Sequence, residues 1–399
     1  MARVLVLDGH SPAALAFVRS LGRAKHWVAV GFAEGSFAPA ALSRYCRLRL
    51  DYPAPTRGTT AFCASVVEFA RQHNVDIIMP MTDATTWPLS KFRESSPGFR
   101  CLAAADADII EGVSDKFRTI TMARKSGIPV PETLLVRSSR ELEQTVEWSL
   151  PVVVKDRFSI RWIGDTGVKG SVSYAYSRDQ LCRELEERLH RTGDVLVQQF
   201  TCGVGIGFSC FALDGDTYLP FQWQRIREKD PRGSGSSARK SMALEPTVLE
   251  FGRELVAQAG FQGILMIEFK KDPRSGSLTF MEINGRPWGS IQLPVHCGVD
   301  YPRYAIRWYL EGFYPPKMID YRRNITCRWL AADLTHLENL WQGKPAGWPM
   351  EYPSFLASLL KISVPWYPGL RYDDLSLRDP RPGLAGLAKW FGGHFGGRT

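Results

Sequence analysis

Glu268, Glu282, Asn284 and Arg286 fall in residues 263–292, where two apolar runs, 264–269 and 278–284, flank the turn formers Lys-Asp-Pro-Arg-Ser-Gly. This spacing predicts a β-hairpin. Side chains alternate between faces along a strand, so Glu282, Asn284 and, if extended backbone continues, Arg286 share one face. Glu268 joins them from the neighbouring strand. Two carboxylates and an amide oxygen form a hard oxygen site suited to Mg²⁺ or Mn²⁺, and an arginine two residues on suits a phosphate. Without cations the acid pair would be costly to bury. The alternative is a solvated sheet face carrying two scattered acids, and the apolar flanks together with Arg286 weigh against it.

The run continues Pro287-Trp288-Gly289-Ser290. With a Glu on one strand and Glu-x-Asn-x-Arg on the next, this end of the chain resembles the metal-binding end of the ATP-grasp superfamily, in its carbamoyl-phosphate-synthase-like branch, and the resemblance covers roughly residues 1–315. It implies an α/β protein with an N-terminal parallel-sheet domain (1–112). A two-lobed α+β ATP-grasp fold follows (small lobe 113–195, C-terminal lobe 196–315), then a C-terminal appendage (316–399). It also implies a carboxylate–amine ligase that uses ATP and Mg²⁺ or Mn²⁺ to form an acyl phosphate. Glu268, Glu282 and Asn284 would hold metal, Lys116, Lys155 and Arg286 would neutralise charge during transfer, and Arg225 joins Arg286 as a candidate catalytic residue. Small-molecule carboxylate and amine substrates follow, and the resemblance allows a homodimer. A thiol acceptor, phosphorylation alone, or an ATP-binding sensor or scaffold without turnover are the rival readings.

The chain has 399 residues, 44% apolar and 23% charged, which suits two or three globular domains. Fifty Lys+Arg against 41 Asp+Glu give a net charge of +9, compatible with an anionic ligand such as a nucleotide. No contiguous basic block supports nucleic-acid binding. The eight cysteines form no Cys-x-x-Cys pair and read as reduced core residues of a cytoplasmic protein. The N-terminus runs directly into a strand, unlike a signal peptide, and no apolar run reaches membrane-spanning length.

Residues 1–112 alternate short apolar runs with helical patterns, as a βαβ series does, but the first turn, Asp8-Gly9-His10-Ser11-Pro12-Ala13, lacks Gly-x-Gly-x-x-Gly and excludes a nicotinamide or flavin site. Asp8, Gly9 and His10 after the first strand, and Thr82, Asp83 and Trp87 after residues 77–80, are substrate-pocket candidates. Asp8 and Asp83 serve equally well as helix caps. Ser114 is the expected N-cap of a helix carrying Lys116, which in the resembling family reaches nucleotide phosphates. Lys155 closes the β-branched run 151–155; it meets either a phosphate, as the family places its second lysine, or solvent.

Gly164, Gly167 and Gly170 lie in a loop, 156–171, that suits a mobile lid over ATP, although the family loop is denser in glycine and an ordinary loop fits as well. Residues 194–201, with Gln198, Gln199 and Phe200, resemble the hinge strand at the adenine edge, with Gln199 where many relatives have an acid. Arg225 and Arg227, with Arg239 and Lys240 nearby, sit around a Gly/Ser-rich segment that either holds an acyl phosphate or carboxylate or is a basic surface loop. Trp87, Trp162 and Trp223 line an apolar pocket or belong to the core. The Trp-rich residues 316–399 are expected to pack without contributing chemistry.

Overall fold

The computed structural model describes residues 1–96, 98–138, 140–141 and 148–395. Short apolar runs punctuated by helix starts give the first unit: β1 (Arg3–Val6), β2 (Trp27–Ala33), β3 (Cys46–Tyr52) and β4 (Ile77–Met79) form a parallel sheet in the order β3-β2-β1-β4. Helices α1 (Pro12–Arg23) and α2 (Thr59–Gln72) connect strands of this sheet, and α3 (Asp83–Ser95) and α4 (Ala107–Ser114) follow β4. Ser11 starts α1 by accepting from the Ala13 amide, and Pro12 at the first helical position forfeits no hydrogen bond.

The second unit contains α5 (Lys116–Lys125), β5 (Thr133–Val136), β6 (Val152–Asp156), β7 (Ile160–Ile163), β8 (Thr166–Lys169), β9 (Val172–Ala175), α6 (Arg178–Thr192) and β10 (Val195–Gln199). Its antiparallel sheet runs β5-β10-β6-β9. Val152, Val154, Leu181, Leu185, Val195 and Val197 give this lobe an apolar core of its own. The expected boundary at 195 therefore falls inside β10, whose partners β5 and β6 belong to this lobe. Ser114 is the last residue of α4 and not the cap of α5; Asp115 caps α5, its carboxylate accepting from the Phe117 and Arg118 amides.

The third unit is a sheet of seven strands in the order β15-β14-β11-β12-β13-β16-β17. They are β11 (Val204–Leu213), β12 (Asp216–Glu228), β13 (Ser236–Ser241), β14 (Gly263–Lys271), β15 (Leu278–Asn284), β16 (Thr326–Arg328) and β17 (Leu370–Tyr372). Helices α7 (Pro246–Ala259), α8 (Gln292–Cys297), α9 (Tyr301–Glu311), α10 (Leu330–Trp341), α11 (Phe355–Ser363) and α12 (Arg381–Phe395) surround it. One buried cluster joins Phe17 and Leu21 of α1 to Trp223, Trp288 and Tyr301, so the parallel-sheet unit and the large sheet share a core. Because β16 pairs with β13, the segment from residue 316 completes the large sheet and is not a separate appendage. Among the described residues no helix is long and apolar enough to cross a membrane.

Candidate active site

The β14–β15 register sets Glu268 directly opposite Glu282 and Met266 opposite Asn284, with a bulge after Glu268. Like charges facing across a sheet oppose pairing, so this geometry needs compensation. Arg225 supplies part of it: one guanidinium nitrogen donates to Glu268 at 2.5 Å, and the other to Glu228 and to the Ser234 carbonyl, both at 2.8 Å. The Asn284 amide donates to Glu282 at 3.1 Å. Gly205 makes room for Arg225; a Cβ there would lie 2.5 Å from its Cδ. Burial and the facing Glu282 push the Glu268 carboxyl up, against the pull of Arg225. Burial pushes Glu282 up as well, but Lys116 and Lys155 outweigh it and hold this carboxyl below its usual range.

Lys155, placed by the Val152-Val153-Val154 run of β6, donates to Gln198 on β10 at 2.8 Å. Burial, with the nearby cations Lys116 and Lys270, pushes its ammonium down to about 8. A lysine so depressed binds its proton less tightly in the folded chain than in the unfolded one, so its charging opposes folding below about pH 8, and the opposition fades as pH rises toward the unfolded value. Its use as an anion-binding cation runs the other way. Titration of ADP with Mg²⁺ between pH 7 and 9 should show affinity falling as pH passes about 8, and Lys155→Met should flatten that dependence.

Lys155, Gln198, Gln199, Phe200, Arg225, Glu268, Glu282, Asn284 and Arg286 all border one cleft of about 540 Å³ between the small lobe and the large sheet. Lys116, at the start of α5, stands beside it with its ammonium 3.4 Å from the Ser159 hydroxyl. Arg286 lies just past β15 and donates to Asp83 at 2.8 Å, joining the large sheet to the carboxyl edge of the parallel sheet. Among the described residues no group of three or more His, Cys, Asp or Glu could hold a metal. Two carboxylates and an amide instead leave part of a cation's shell to water or phosphate oxygens, which is how Mg²⁺ is held.

Residues 194–332 match a family model described as "ATP-grasp in the biosynthetic pathway with Ter operon". N5-carboxyaminoimidazole synthetase from Staphylococcus aureus, solved with ADP, aligns at TM-score 0.62 and 14% identity over 88% of this chain and 90% of its own. L-amino acid ligase from Bacillus licheniformis aligns at TM-score 0.59 and 16% identity over 78% and 74% of the two chains. Over residues 194–332 the chain is similar to the ATP-grasp family, and it shares the fold of both enzymes. The carbamoyl phosphate synthase large chain, C-terminal section, of Methanopyrus kandleri is 23% identical over 235 residues, 55% of this chain and 39% of that relative. The chain thus spans about two fifths of this curated relative. All of β10 and the whole acid hairpin fall inside the ATP-grasp match, whereas Lys116 and Lys155 precede it.

Several expected site residues do something else. Residues 160–169 form the β7–β8 hairpin, turning at Gly164 with φ +56°, and none of Gly164, Gly167 and Gly170 borders the cleft. The hairpin leans on the parallel-sheet unit because Asp165 is bound by Thr59 and Thr60 and Trp162 stacks on Trp87. Arg225 and Arg227 lie on a strand, β12, and not in a flexible loop. Arg227 pairs with Asp333, and the buried Arg239 pairs with Asp373, so both anchor the chain beyond residue 316 and are not available to a substrate. Lys240 is half-buried on the inner strand β13, away from the cleft.

Asp8 is buried and accepts from the Met81 amide and the Thr85 and Tyr52 hydroxyls, tying β1 to its neighbours as neither a cap nor a ligand group. Gly9 packs so closely that a Cβ would meet Val30 at 2.8 Å, and Trp223 stacks on Trp288 in the core. Neither Lys270, in the cleft, nor Trp348, which packs behind the cleft residues Phe200 and Tyr174, is among the expected site residues. Lys270, two residues after Glu268 on β14, donates to the Thr201 carbonyl at 2.6 Å, and the period-two rule applied to Glu268 would have found it. Trp348 meets Phe200 and Tyr174 edge-on at 5.1 and 5.3 Å, a contact with no local sequence signal.

Proposed function

We propose that this chain is an ATP- and Mg²⁺-dependent ligase that joins a carboxylate to an amine and releases ADP and phosphate. The facing pair Glu268 and Glu282, with Lys155, Arg225 and Arg286 on the same cleft, carries this reading, since adenine binding alone has no use for such a set. A carboxylate is a poor electrophile; taking the γ-phosphoryl group of ATP makes it an acyl phosphate, and amine attack then expels phosphate. Glu268, Glu282 and Asn284 would hold Mg²⁺, which supplies charge neutralisation at the transferring phosphoryl oxygens; Mn²⁺ suits the same donors. Lys155 and Lys116 bind phosphate oxygens from the small-lobe side. Arg225 fixes Glu268 in position and opposes the upward push of burial on its carboxyl. Arg286, held by Asp83, presents its remaining donors where cleft and parallel-sheet edge meet. Phe200 and the β10 backbone supply the adenine wall.

The test is ADP release with Mg²⁺ across a panel of carboxylic acids, each with and without pooled amines, with products weighed by mass spectrometry. Release that requires both acid and amine, with a condensed product, is the expected result. Tight ATP binding without ADP from any pair would turn the reading toward a protein that binds ATP without turnover.

A further inference from the structure

A second cavity, of about 360 Å³, lies between α3 and α4 of the parallel-sheet unit and the β7–β8 hairpin. That volume suits one small molecule. Its apolar wall is Trp87 stacked on Trp162, with ring centroids 5.1 Å apart and planes 12° from parallel, together with Ile110 and Phe158. The hairpin is fastened over it at the tip: the Asp165 carboxylate accepts from the Thr60 amide at 2.9 Å, and its carbonyl accepts from the Thr59 amide at 3.0 Å. At the inner end stands Asp83, which borders this cavity and also pairs with Arg286 of the cleft at 2.8 Å. The cavity therefore abuts the proposed site of phosphoryl transfer.

The charges there are unevenly committed. Arg157 is bound by Asp115 and Asp194, and Arg161 gives one nitrogen to Asp194, so the two guanidinium charges are matched by two carboxylates. Glu111 is exposed on the rim and makes no ion pair among the described residues. Arg286 engages only one Asp83 oxygen. Apart from Lys116, which the nucleotide phosphates take in the proposed complex, a phosphate or carboxylate would face Glu111 and Asp83 with the guanidinium charges already matched, whereas an ammonium would meet Glu111 on entry and Asp83 inside. The indole pair offers an apolar body both contact area and π-faces.

We infer that this chamber receives the amine substrate, and that the amine is a primary one on an apolar, preferably aromatic, body. The inference rests on the ligase reading above and adds the substrate class to it. Calorimetry on the full chain with Mg²⁺ and a non-hydrolysable ATP analogue tests both separately. Phenethylamine should bind saturably, at least about tenfold more tightly than methylamine, with no binding of 3-phenylpropionate. Trp162→Ala should weaken phenethylamine about tenfold or more and Trp162→Phe should restore it, while analogue affinity stays unchanged in both. Glu111→Gln, a surface change that folding tolerates, should weaken phenethylamine but not neutral 2-phenylethanol. Tighter binding of 3-phenylpropionate, or phenethylamine affinity indifferent to both Trp162→Ala and Glu111→Gln, would overturn the chamber. Analogue binding without phenethylamine binding likewise removes the chamber and leaves the ligase reading standing, whereas failure to bind the analogue at all removes the ligase reading.

Discussion

Glu282→Gln is expected to lower Mg²⁺-dependent ADP release on the order of 10²–10⁴-fold, the loss of several kcal/mol of metal-assisted charge stabilisation. The substitution keeps the side chain's size and an oxygen for the Asn284 amide, which now donates to Glu282 at 3.1 Å. It removes the like-charge pair across the β14–β15 register but also a carboxylate that Lys116 and Lys155 hold below its usual range, so the folded chain should lose some stability and remain folded. Chemical denaturation should give a modestly lowered midpoint with a cooperative transition, and the Mg²⁺ concentration needed for residual activity should rise. Wild-type turnover in a folded Glu282→Gln protein would sink the metal assignment. The experiment separates chemistry from architecture because a modest loss of stability in a folded protein cannot account for a loss of turnover of that size.

The second large effect is on stability. Arg239 and Asp373 are both buried and paired with one another, and the Cys327 thiol lies 3.3 Å from the same Asp373 oxygen. Arg239→Met strands a buried carboxylate and should cost about 3–5 kcal/mol. Adding Asp373→Leu should recover most of that loss, because replacing a whole buried ion pair by apolar groups is often near neutral. Urea unfolding of the wild type and both variants reads these values. If Arg239→Met kept wild-type stability yet lost turnover, Arg239 would return to the role of a substrate ligand. Arg227 and Arg328 share Asp333 in the same fashion, so the segment beyond residue 316 is held to the large sheet by several such pairs.

What could be read in the sequence were features set within a few residues. The alternation of 264–269 and 278–284 gives a hairpin with its acids on one face, and the register observed pairs Glu268 with Glu282. The β-branched run before Lys155 forms β6 and delivers that lysine to the cleft, and the βαβ pattern of residues 1–112 forms the parallel sheet. Strand and helix periods are local properties of the backbone, so these follow without knowledge of the rest of the chain.

What tertiary structure alone decided is partnership. A glycine-containing loop became a hairpin bound to Thr59, Thr60 and Trp87, and Arg239 and Arg227 turned from anion ligands into anchors. Asp83 met Arg286 from more than two hundred residues away, and the chain after residue 316 completed the large sheet. A guanidinium's chemistry suits a ligand phosphate and a buried aspartate equally well. Only the fold, by bringing Asp333 and Asp373 within hydrogen-bonding reach while leaving Lys155 beside an open cleft, determines which of them each cation meets.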